Sequence, residues 1–307
     1  VSFKIIPYNE IDKGKWNQFV DTHPQAWWWH RTEWIDYVDS RDDHLNLSFA
    51  LQDNWEYTRI DPLFLNDKKL QVEGEPGPMP LVMYALTDFN VIIAQDKLVT
   101  EYFSGMKEEH QWTDVRYRMA IPVPEYMPSP WPGEVRNASW KTRVIMIPPD
   151  WSGVRKSYRP LITKVKRDKK IQVIGSGDEA FDGLEAFHSL HRKANKGETR
   201  PVGTWGANYD WLQSGNALLV LVGEPAVAGA YFIKYKNMAY YASGASIEPN
   251  CQHGAIWIGL EALAKEGMEQ VEIGWMARPW DNEKYKNIAF FKSGFGGVEQ
   301  WISSYIF

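Results

Sequence analysis

ALLVLVGEPAVAGAYFIKYKNMAYYASGAS, residues 217–246, is the stretch whose reading decides the fold. Its first six residues are an unbroken apolar run, which Gly223-Glu224-Pro225 interrupts with turn residues. A second apolar run reaches Tyr235, Lys236-Asn237 supplies a hairpin turn, and a third run ends near Ser246. Three strands with short connections are the reading. Beyond them Ile256, Leu260, Leu263 and Ala264 recur at helical spacing between about Ala255 and Glu266, and Gly267 stops that helix. MEQVEIGW (268–275) returns to a period of two, with Val271, Ile273 and Trp275 on one face. GGVEQWISSYIF (296–307) closes the chain as strand.

Upstream, one helix starts around Ser157, with Pro160 tolerated in its first turn. Another runs from roughly Asp178 to Asn195, with Leu184, Phe187, His191 and Ala194 on one stripe. This order of elements predicts an α/β (α+β) chain with a mixed, twisted sheet flanked by helices. The N-terminal half repeats the grammar more faintly. Helical stretches carry Trp16, Phe19 and Val20, then Trp34, Tyr37 and Val38. LSFALQ and MPLVMYAL read as strands, a helix lies near Gln95 to Met106, and DVRYRMAIP follows. The Pro-rich IPVPEYMPSPWPGEV (121–135) separates the halves. Two similar units are expected, 1–145 and 146–307, with the last strand able to pack back on the first unit.

Composition narrows the classes. With 307 residues, 44% of them hydrophobic and 24% charged, the chain has enough apolar material for real cores. A net charge of -5 argues against a dedicated nucleic-acid coat protein but allows a local basic groove. The single cysteine, Cys251, excludes an internal disulfide and suits a reducing compartment. No apolar run is long enough to span a bilayer and no signal-peptide core is evident, so a soluble, cytoplasmic protein is expected. The 16 tryptophans, several in QAWWWHRTEW (25–34) and GTWGANYDW (203–211), have two readings. They are packing residues, or they line a cleft that stacks on sugars or bases.

Several passages together resemble the FemABX-like acyltransferases, tandem units of the GNAT fold. These are YRPLITKVKRDKKIQV, FHSLHRKANKGETRP, EPAVAGAYFIKYKNMAYYASGAS, LEALAKEGMEQVEIG and IAFFKSGFGG, in that order; HPQAWWWHRTEWIDY and VEGEPGPMP resemble family passages with less specificity. The resemblance implies transfer of an acyl group, often an amino acid carried on tRNA, to the amine of a cell-wall peptide precursor, with polysaccharide and natural-product acceptors in more distant relatives. It implies no tightly bound cofactor; the donor is an aminoacyl-tRNA or an acyl-CoA, and tRNA is a possible partner.

The chemistry then selects residues. Amide formation needs a neutral, positioned amine, stabilisation of a carbonyl oxygen as it turns anionic, and a proton for the leaving group. Lys292, set in FFKSGFGG, either snorkels to water or meets charge in a cleft; the family places a functional lysine in this stretch. Glu272, where relatives often carry an acid before the glycine, is the candidate base, with a structural role as its alternative. Asp281 and Glu283 are further carboxylates, and Tyr285 is a candidate acid or a packing tyrosine. Arg200 matches a family arginine that grips phosphates, and a guanidinium suits that geometry; helix capping is the alternative. The basic block VRKSYRPLITKVKRDKK offers Arg159, Lys164 and Arg167 for a tRNA backbone or a diphosphate, or is a solvated helix face. Trp205 and Phe291 are aromatic candidates for substrate contact.

Acetyl-CoA-dependent GNAT units cradle pyrophosphate on a glycine turn that opens the central helix. Here CQHGAIW (251–257) supplies Gly254 and otherwise departs from the pattern, which favours aminoacyl-tRNA or another large donor. RTEWIDYVDS lacks the lysine expected for a nucleotide-linked acceptor. Cys251 with His253 invites a nucleophile reading, and His188 with His191 a ligand pair; an inert thiol, a structural pair and no metal are expected. The rival function is a non-catalytic glycan or peptide binder with a Trp-rich cleft. An acetyl-CoA-dependent N-acetyltransferase is the other alternative.

Overall fold

The structure is a computed structural model. It describes residues 3–65 apart from 24–25 and 42–44, all of 139–302, and 304–306; between 66 and 138 it describes only short segments. Contacts divide the chain into two compact units, Val1–Ser139 with Trp301–Phe307, and Trp140–Gln300.

The second unit is built on a seven-stranded sheet, taken here in chain order. Its strands are β9 (Trp140–Met146), β10 (Ile171–Ile174), β11 (Ala217–Val222), β12 (Ala228–Tyr235), β13 (Met238–Ser246), β14 (Gln270–Trp275) and β15 (Val298–Ile302). They lie side by side in the order β10-β11-β12-β13-β14-β9-β15. The hairpins β10–β11–β12–β13 pair antiparallel. β13 and β14 run parallel, which requires a crossover, and the helix Cys251–Lys265 provides it.

ALLVLV is apolar throughout because β11 is covered on both faces, and all six of its residues are buried. Leu218, Val220 and Val222 join one core with the crossover helix and the helix Tyr158–Asp168. On the opposite face Leu219 and Leu221 meet the helix Glu179–Asn195, where Gly183 and Phe187 approach them. The crossover helix is apolar nearly all round for the same reason.

The sequence reading missed the helix Thr204–Gln213, in which Gly206 and clustered aromatics blur the stripe. It also set the unit boundary at 145/146, inside β9. The whole of β9 belongs with the second unit, because its backbone pairs antiparallel with β14.

The first unit holds a four-stranded sheet, β1 (Lys4–Pro7), β3 (Phe49–Asp53), β4 (Glu56–Asp61) and β6 (Met83–Tyr84), in the order β1-β3-β4-β6 with antiparallel pairs. Among the described residues it also has short pairings β2–β5 (Leu45–Asn46, Phe64–Leu65) and β7–β16–β8 (Arg116–Arg118, Ser304–Ile306, Arg136–Asn137). Its helices are α1 (Lys13–Thr22), capped by Asp12 accepting from the backbone N–H of Gly14 and Lys15, and α2 (Thr32–Arg41). Residues described between 97 and 109 are helical. VEGEPGPMP and most of the Pro-rich 121–135 passage lie outside the described residues.

The helices of the second unit are numbered onward: α3 (Tyr158–Asp168), α4 (Glu179–Asn195), α5 (Thr204–Gln213), α6 (Cys251–Lys265) and α7 (Glu283–Ser293). Most described tryptophans are core residues, among them Trp16, Trp27, Trp28, Trp29, Trp34, Trp205, Trp211 and Trp257. The indoles of QAWWWHRTEW are therefore packing and not the wall of an open cleft.

Candidate active site

Four elements of the second unit converge at the C-terminal end of β14. The ladder between β13 and β14 ends at Tyr240↔Glu272, although β13 continues to Ser246 against β12. On the other side of β14 the register with β9 shifts between Glu272 and Trp275. Gly274 lies in that irregularity at φ +90°, a conformation glycine reaches without strain. Its missing side chain also leaves space. A Cβ on Gly274 would lie 2.5 Å from Lys292 Nζ and 3.9 Å from Tyr240 Oη.

Lys292 arrives on α7, whose N-cap Asn282 accepts from the Tyr285 backbone N–H. Ala289 is the only buried residue of this helix. Tyr285, Ala289 and Lys292 share one face, since seven residues make two turns. Arg155 fixes the C-terminal end, donating to Phe290 O at 3.0 Å and Ser293 Oγ at 2.9 Å.

Lys292 as a residue is half-buried, but its amine has lost most of its water and makes no hydrogen bond or ion pair with any described residue. That desolvation pulls its pKa from 10.5 to about 8, with the charge of Glu272 opposing the shift. Glu272 is buried, and Thr142 Oγ1, itself fully buried, donates to its Oε1 at 2.6 Å. Tyr285 is exposed and packs its ring 5.2 Å from that of Trp275. Lys292, Glu272 and Tyr285 thus stand along β14 and α7. Tyr240 was missed because in sequence it is an ordinary strand position, and Thr142 because the strand Trp140–Met146 was not read from the sequence.

The other candidates lie elsewhere in the second unit. Arg200 lies over the Trp205 ring at 5.0 Å and reaches Ser243 Oγ at 3.5 Å, on the stretch of β13 beyond its last pair with β14. Trp205 is buried, with His188 stacked on it at 4.3 Å. His188 is joined to Glu198 at 2.9 Å. His191 is buried beside them with its Nδ1 3.2 Å from Thr199 Oγ1. Burial first, then Arg200, pulls its pKa down to about 4. The histidine pair therefore anchors the loop that carries Arg200. No group of three or more His, Cys, Asp or Glu suited to a metal occurs among the described residues.

The basic block is largely engaged. Arg159 donates to the carbonyls of Val154 and Ser152. Arg167 pairs with Asp168 at 2.6 Å, Lys166 with Glu261 and Lys169 with Glu248. Lys170 pairs with Glu224. Lys164 lies near enough to Asp168, Glu248 and Cys251 to act on their ionisation.

Phe291 belongs to an aromatic cluster with Tyr158, His253 and Phe295. Gly254 is a helix-packing glycine, since a Cβ there would meet Val165 Cγ1 of α3 at 2.3 Å. Glu248, held by Lys169 at 2.7 Å, stands just ahead of the first turn of α6 and bonds the Cys251 thiol. Burial and Glu248 push that thiol's pKa up, the opposite of an activated nucleophile. Asp281 is spent on the Arg278 backbone N–H, and Glu283 on Lys286.

These elements place the chain in a structural class, the tandem GNAT fold. FemX is similar to it along almost the whole length, with a TM-score of 0.63, 13% identity, and coverage of 98% of this chain and 96% of that one. A conserved protein of unknown function from Bacteroides thetaiotaomicron VPI-5482 gives 0.61 at 10% identity, covering 100% and 98%. A tandem GNAT protein from the clavulanic acid biosynthesis pathway gives 0.52 at 13% identity, covering 100% and 98%. No family model and no curated protein matches the sequence. At these identities the likeness is one of fold. No described helix is long and apolar enough to cross a membrane.

Proposed function

We propose that the protein is an acyltransferase that forms an amide, moving an aminoacyl or acyl group onto the amine of a peptide or glycan precursor of the cell envelope in the cytoplasm. The observation that carries this reading is the Lys292 amine, desolvated and without a hydrogen-bond partner among the described residues, where β13 and β14 part. In the reaction the acceptor nitrogen attacks the carbonyl carbon of the donor ester or thioester. The C–N bond forms, the C–O or C–S bond breaks, Glu272 takes the proton from nitrogen, and Tyr285 protonates the departing oxygen or sulfur. The carbonyl oxygen turns anionic on the way. A protonated Lys292 in a water-poor setting stabilises it far more than it would in bulk water.

An aminoacyl-tRNA donor fits better than acyl-CoA. The first turn of α6, where a pyrophosphate would sit, faces the carboxylate of Glu248, and Gly254 is committed to packing against Val165. Arg200, with Trp205 beneath it, is the candidate grip on an acceptor phosphate. Arg159, Lys164 and Arg167 are weaker donor contacts, because Arg159 and Arg167 already have partners. Incubation of purified protein with charged tRNA or acyl-CoA and a panel of amine acceptors, read by mass spectrometry, tests the reading. Amide product with one donor supports it; no amide with either donor overturns it.

A further inference from the structure

Tyr240 belongs to none of the roles assigned above, yet its hydroxyl lies beside Gly274 and the Lys292 amine. It is the last residue of β13 paired with β14, directly across from Glu272, and it is buried. Paired residues on neighbouring strands project to the same face of a sheet. Its hydroxyl and the Lys292 amine both reach the space a side chain on Gly274 would fill, 3.9 Å and 2.5 Å from that Cβ position. Two groups able to donate a proton thus reach one small volume from two elements, a strand and a helix. The backbone there is left-handed at Gly274, which favours glycine, and the Lys292 amine takes up the place a Cβ would occupy. Across from Tyr240, Glu272 is held in place by Thr142, whose hydroxyl donates to its Oε1.

We propose that Tyr240 is a further catalytic residue, its O–H acting with Lys292 as the second donor to the carbonyl oxygen that becomes anionic during acyl transfer. This rests on the acyltransferase reading and specifies the electrophilic side of that site. An ammonium alone neutralises charge without fixing its direction. A phenol held rigidly on a strand adds a directed hydrogen bond, and such donors act mainly in the transition state. Tyr240 keeps its proton throughout, and the developing oxyanion is bound and not protonated. The proton from the attacking nitrogen still goes to Glu272.

The test compares wild type with Tyr240→Phe and Tyr240→Leu, using charged tRNA or acyl-CoA with whichever acceptor gives amide. Tyr240→Phe is expected to keep KM for the donor and the circular dichroism of wild type, while kcat falls about 10²–10³-fold. A tetrahedral phosphonate analogue of the intermediate is expected to bind wild type tightly and Tyr240→Phe at least 10-fold more weakly. If Tyr240→Phe keeps kcat and analogue binding while wild type is active, the proposal is overturned and the acyltransferase reading stands. A Phe variant that loses kcat no more than Leu loses through misfolding, with analogue binding unchanged, makes the ring structural and also overturns it. If wild type forms no amide with either donor, both fall together.

Discussion

Replacing Gly274 by alanine tests the geometry of the site more directly than removing a functional group. The new Cβ would stand 2.5 Å from Lys292 Nζ, whereas ordinary contact begins at 3.4 Å, so the amine must retreat by about 0.9 Å. The clash is with the far end of a flexible side chain, and moving it costs little stability. The backbone is less forgiving, because φ of +90° in a non-glycine residue costs about 1–3 kcal/mol. A displacement of about 1 Å at a reacting group costs on the order of 10²-fold in rate, or about 2.7 kcal/mol of barrier. The assay is steady-state amide formation beside urea unfolding. The expected result is a folded variant, about 1–3 kcal/mol less stable, with kcat down about 100-fold. The displaced amine regains water, so its pKa climbs back toward 10.5. A folded Gly274→Ala enzyme with kcat within about threefold of wild type, against the roughly 100-fold loss predicted, would refute the placement of the amine at the reacting carbonyl.

Other outcomes follow from the same structure. Lys292→Met removes an amine whose lowered pKa corresponds to about 3 kcal/mol held against folding at neutral pH, so the variant should be inactive yet up to that much more stable in urea; a less stable variant would make Lys292 a packing residue. Because the folded pKa lies below the unfolded one, this penalty is complete below about pH 8 and is relieved as pH rises toward 10.5. Wild-type stability should gain across that window and the Met variant should show no such gain. In the pH profile, kcat/KM should fall as pH rises through about 8, and a plateau up to pH 10 would remove the ammonium from the mechanism. His191, neutral in the fold down to about pH 4, should make stability decline as pH falls from 6.5 to 4, and His191→Gln should flatten that slope in thermal unfolding. Gly254→Ala should lose about 1–3 kcal/mol by driving α6 against Val165, with Val165→Ala restoring part of it; a neutral single variant would mean that the helices separate freely.

Much of the second unit was legible in the letters. ALLVLV, the Gly-Glu-Pro break and the Lys236-Asn237 turn specify three adjoining strands because turn chemistry and apolar runs act locally. The predicted helix Asp178–Asn195 falls within a residue of α4, and the one read from about Ala255 begins four residues earlier, at Cys251. Lys292 stood out as a charged residue in apolar surroundings, and Glu272 through the family resemblance. What tertiary structure alone decided is how those charges are used. Arg159, Arg167 and Lys166 read as a free basic face, but their carbonyl and carboxylate partners include Glu261, far along the chain. Gly254 read as a cradle and is a contact with Val165. Tyr240 and Gly274 were invisible as a site, since the sequence marks them only as strand residues, and the strand that carries Thr142 was not read at all. Their meaning comes from where the β13–β14 ladder stops and where β14 slips against β9. Periodicity and turns are fixed by neighbours a few residues away, whereas the end of a ladder depends on the twist and packing of strands more than a hundred residues apart in sequence.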